Sequence, residues 1–99
     1  MMNKKDLSDK IYCSLLLHNK WSVNEHNHVV HMDGIQLERE VIHYVFRSVE
    51  QVVVKKGKKY MILEGKEALH VLDAMNVVID KIRMKEAEEF SNELEAILK

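Results

Sequence analysis

The run VVVKKGKKYMIL, residues 52–63, constrains this chain more than any other stretch. Three successive β-branched residues, a lysine-rich turn around Gly57 and a second apolar run make the pattern of a β-hairpin. A lone hairpin is barely stable in water, so it needs further strands or a covering helix. The chain supplies candidates for both.

A second hairpin is written earlier, in WSVNEHNHVVHMDG, residues 21–34. Trp21 and Val23 alternate with polar residues, Val29, Val30 and Met32 form a short apolar run, and Glu25 to His28 make a polar middle. This stretch aligns without a gap with residues 52–65, sharing Val23 with Val54 and Gly34 with Gly65. Two accounts fit the match: a duplicated hairpin-then-helix unit, or convergence of short hairpins on one pattern. In either case Trp21, Val23, Val52 and Val54 occupy matching places.

Helical periodicity fills the rest. Leu7, Ile11 and Leu15 recur every four residues, which predicts a helix over 5–19 that also carries His18. Leu37, Val41, Val45 and Val49 keep the same interval, flanked by Ile42 and Phe46, and predict a helix over 35–50. Asp33, three places before Gln36, has the spacing of a capping box for that helix. A last helix is expected over 66–98. At 33 residues it would be about 50 Å long, whereas a domain of this size is roughly 30 to 35 Å across. It must bend, break or project, and any bend or break is expected near 84–86.

The expected fold is therefore α+β in the order α-ββ-α-ββ-α. Its hairpins, over 21–33 and 51–64, join in a four-stranded antiparallel sheet with the helices on one face. Ninety-nine residues suit a single domain, residues 1–99. This order is similar to that of the pterin carbinolamine dehydratases, whose active site is marked by adjacent histidines followed by proline. The chain has no His-His pair and no proline, so the resemblance implies no activity here.

Composition narrows the functional classes. A chain 46% hydrophobic and 31% charged is in the globular range. No apolar run approaches the ~18 residues of a membrane span, IYCSLLL is too short for a secretory signal, and a single cysteine forms no internal disulfide. A cytoplasmic protein without a membrane partner is the expectation. Ten Lys or Arg stand against seven Asp or Glu up to residue 60, and five against nine after it. Neither half demands a nucleic-acid partner by charge alone.

Catalytic signals are sparse. All three glycines are used at turns and helix entries, and no phosphate-binding glycine motif occurs, so no nucleotide cofactor is expected. Cys13 lies in an apolar helical stretch, where a buried thiol is ordinary. The acidic residues are interspersed with lysines on helix faces. His26, His28 and His31 are near enough in sequence to suggest a metal, but on a strand only His26 and His28 would share a face, and the alternative puts His26 in the turn. They are weak candidates, and hydrogen-bonded or solvated histidines are the expected reading. The chain is read as a non-enzyme with no cofactor.

Two features remain. Lys55, Lys56, Lys58 and Lys59 place four charges at a hairpin tip, which suits a phosphate backbone or simply keeps an exposed turn soluble. In the last helix, Leu72, Met75, Ile79 and Ile82 form a stripe whose next register positions are Glu86 and Glu89, and a displaced stripe resumes at Ala87, Phe90, Leu94 and Ile97. Phe90, Leu94 and Ile97 then need a partner outside the domain, and a second copy is the simplest one. The reading is a small accessory or regulatory protein, bacterial or phage in composition, that binds protein as a homodimer. The alternative is a nucleic-acid-binding regulator using the lysine tip.

Overall fold

A computed structural model of the chain describes residues 3–17 and 19–99. The protein is α+β, with helix α1 (Lys4–Leu17), strands β1 (Trp21–Val23), β2 (Val29–His31), β3 (Ile35–His43), β4 (Ser48–Lys56) and β5 (Lys59–Leu63), and helix α2 (Gly65–Leu98). The five strands form one antiparallel meander in the order β1-β2-β3-β4-β5. His18 lies outside the described residues.

The sheet has five strands, not four, because residues 35–50 are not helical. Nine cross-strand pairs, from Ile35 with Lys56 to His43 with Ser48, make β3 and β4 a long hairpin. The four-residue spacing that predicts a helix is also a multiple of two, so Leu37 and Val41 share a face in a strand as well. Two things decide between the readings. Residues 35–54 are rich in β-branched side chains, and Tyr44 to Arg47 close a loop in which the Tyr44 amide donates to the Arg47 carbonyl at 2.7 Å. The capping role expected of Asp33 disappears with the helix. Asp33 sits instead in a turn where the Gly34 amide bonds the His31 carbonyl at 2.9 Å, with Gly34 at φ +92°.

The element order is thus α-βββββ-α, and the dehydratase-like order does not hold. Trp21, Val23, Val52 and Val54 do share one face by register, but their hairpins are not equivalent. The first ends in strand β3 and the second in helix α2, which removes the structural basis for a hairpin-then-helix duplication.

One face of the sheet carries the core. Trp21, Val29, Leu37, Val52 and Leu63 meet Ala68, Val71, Leu72, Met75 and Val78 of α2, and Ile11 and Leu15 of α1 close the cluster. Local sequence explains each helix. The Asn3 carboxamide accepts the Asp6 amide at 2.8 Å, an N-cap for α1, and buried α2 positions recur at intervals of three and four. The Trp21 indole N–H donates to Ser14 Oγ at 3.0 Å and ties β1 to α1.

Among the described residues, no helix covers the other face. Val53 and Gln51 are nonetheless buried there among neighbouring strand side chains, and Gln51 Nε2 donates to Glu40 at 3.0 Å. α2 is one continuous helix of 34 residues. No break occurs at 84–86, so the helix projects, and the molecule extends 55 Å along its longest axis. Its radius of gyration is 16.0 Å, against about 13 Å for a compact chain of this length.

Candidate protein-binding surfaces

The projecting end of α2 is the most unusual surface. Arg83 is the last residue tied to the sheet, through hydrogen bonds to Asn24 and Asn27 in the β1–β2 turn. Every residue from Met84 onward is exposed. Phe90 is 59% exposed, Leu94 39% and Ile97 69%, on a segment about 22 Å long. Glu86, Glu89 and Glu93, spaced by three and four, run along one edge of that stripe. Residues 85–99 carry five glutamates and two lysines, so the apolar stripe is set in negative charge.

The four hairpin lysines do not form one patch. β4 and β5 join through Gly57 and Lys58, with Gly57 at φ +61°, the conformation a type II′ turn needs at its first central position. Strand alternation then puts Lys56 and Lys59 on the helix-bearing face and Lys55 on the open face. Lys55 Nζ lies 2.9 Å from Glu38 Oε2. That bond holds the Glu38 carboxyl below its ordinary range, against the opposing effect of burial and with help from Gln36 and His28.

On the helix-bearing face, Lys56 and Lys59 border an open groove of about 420 Å³. Ile35, Val54 and Met61 of the sheet form its floor, and Leu7 and Ile11 of α1 form its wall. This groove was not legible in the sequence, because its floor and wall come from four separate elements.

The histidines are tied in different directions. The Asn24 side chain accepts the amides of His26 and His28, at 3.0 and 2.9 Å, and folds residues 24–28 into a turn with Asn27 at φ 60°. His28 Nδ1 is 3.1 Å from Gln36 Nε2, while His31 Nδ1 accepts the Asp33 amide and its ring meets Trp21 edge-on. The His26 and His28 ring centroids are 5.8 Å apart. Among the described residues, no three His, Cys, Asp or Glu side chains are grouped to hold a metal ion. Cys13 is exposed rather than buried, because the core stripe of α1 runs through Ile11 and Leu15.

A further apolar tip was missed in the sequence. Tyr44, Val45 and Phe46, expected on a helix, lie in the β3–β4 loop, with Phe46 99% exposed and the Arg47 guanidinium over the Tyr44 ring. Among the described residues no helix is long and apolar enough to cross a membrane. No family model, curated protein or solved structure matches the chain.

Proposed function

We propose that this protein acts by binding protein, without catalysis, and that it does so as a homodimer assembled through residues 84–98 of α2. The observation that carries the reading is the alignment of Phe90, Leu94 and Ile97, all exposed, on a helical segment clear of the sheet. Covering such side chains stabilises an assembly by roughly 1.5–3 kcal/mol each when burial is complete. The segment also has reason to seek a partner as a helix. Its last turn holds no basic residue, and Glu93 and Glu95 lie toward the negative end of the helix dipole, where the capping Lys99 is the one nearby cation among the described residues of the helix end.

An accessory or regulatory role suits such a module. The dimer presents two apolar β3–β4 tips, each bearing Tyr44, Val45 and Phe46, for a protein partner.

Light scattering on the full chain and on a chain ending at Met84 tests the proposal. The full chain is expected to be a dimer and the shortened one a folded monomer. A monomeric full chain overturns the homodimer. Nucleic-acid binding that weakens steeply with salt, and is lost when Lys55, Lys56, Lys58 and Lys59 become Gln, replaces the protein-binding reading with the nucleic-acid one.

A further inference from the structure

We infer that the α2 tail of one copy lies in the lysine-bordered groove of a second copy, which returns the same contact. The inference rests on the homodimer reading above and names the surface on which the tail docks.

Charge and polarity match across this contact. The tail offers Phe90, Leu94 and Ile97 beside a row of glutamates, and the groove offers an apolar floor beside Lys56 and Lys59. Among the described residues, neither lysine takes part in an ion pair within the chain. Pairing two tails directly would instead set glutamate rows near one another. Docking in the groove places cations beside glutamates and near a helix C-terminus, where positive charge is favourable.

Position within the fold matches too. The groove wall, Leu7 and Ile11, belongs to the part of α1 that lies against His70, whose ring stacks on Tyr12 at 3.9 Å and whose Nε2 is 3.5 Å from Asp9. The tail starts fourteen residues further along α2, about 21 Å away. An unbroken helix therefore carries the tail away from the groove of its own chain. Two copies lying antiparallel about a twofold axis bring each tail to the other's groove, and the assembly closes at two.

Charge reversal in trans tests the arrangement. The groove variant Lys56→Glu with Lys59→Glu and the tail variant Glu89→Lys with Glu93→Lys are compared by sedimentation, with circular dichroism to confirm that each folds. Each variant alone is expected to dimerise at least tenfold more weakly than the native chain. An equimolar mixture is expected to regain native strength, because each tail then meets a groove of opposite sign. A control with Lys20→Glu and Lys66→Glu, which alters net charge equally but away from the groove, should dimerise like the native chain.

A groove variant that dimerises normally overturns this docking while leaving the homodimer intact. A mixture that fails to recover, or a control weakened as much as the groove variant, overturns it as well. A native chain that stays monomeric overturns the homodimer itself and this inference with it.

Discussion

Arg83 Nη2 donates to the Asn24 carbonyl and to Asn27 Oδ1, each at 2.9 Å, joining α2 to a turn 56 to 59 residues earlier in the chain. This bond is the boundary between the part of α2 that builds the domain and the part that leaves it. Arg83→Ala is expected to lower stability by about 1 kcal/mol, since charge-assisted bonds are strong but this side chain is partly exposed. Urea unfolding measures the loss. Hydrogen exchange should show amides before residue 83 becoming less protected while those after 85 change little in the monomer.

Glu38 links folding to pH. Its carboxyl is held below the ordinary range mainly by the Lys55 bond, so its contribution is complete above that range and is lost as pH falls through the lowered folded value. Lys55→Gln is expected to raise the Glu38 pKa and flatten the acid limb of the stability curve. A carboxyl-detected NMR titration of both proteins checks this, and an unmoved Glu38 would refute the assignment.

Leu37 and Phe46 separate the strand from the helix expected over 35–50. Leu37 is fully buried, so Leu37→Ala should cost about 2–5 kcal/mol. Phe46 stands at the β3–β4 loop with almost all of its surface in solvent, so Phe46→Ser should change stability by no more than about 0.5 kcal/mol. Comparable losses at both positions in a denaturant series would contradict the register of β3 with β4.

Gly57 carries a purely conformational demand. No atom lies within 4 Å of where a Cβ would sit, yet φ is +61°, so Gly57→Ala should cost about 1 kcal/mol through backbone strain alone. Thermal unfolding of the single variant measures it, and no shift would mean that the turn relaxes to another type.

Several elements were legible because their signals are local. The KKGKK turn between two apolar runs marks β4 and β5, and Leu7, Ile11 and Leu15 mark α1 whatever lies nearby. Residues 35–50 misled because Leu37 and Val41 recur every four residues, an interval that both a helix and a strand satisfy. The lysines were legible as charges but not as a divided set, since only the β3–β4 register puts Lys55 beside Glu38 and only the β4–β5 pairing puts Lys56 and Lys59 together on the other face.

The sequence by itself determined where charge, turn residues and apolar stripes lie, including the displaced stripe through Phe90, Leu94 and Ile97, because periodicity and composition are properties of neighbouring residues. Tertiary structure alone decided that residues 35–50 pair as strands, that α2 continues unbroken beyond Arg83, and that Ile35, Val54 and Leu7 meet in one groove. Those outcomes depend on contacts between residues far apart in the chain. A strand gains its hydrogen bonds only from a partner, and a groove exists only where separate elements leave a space between them.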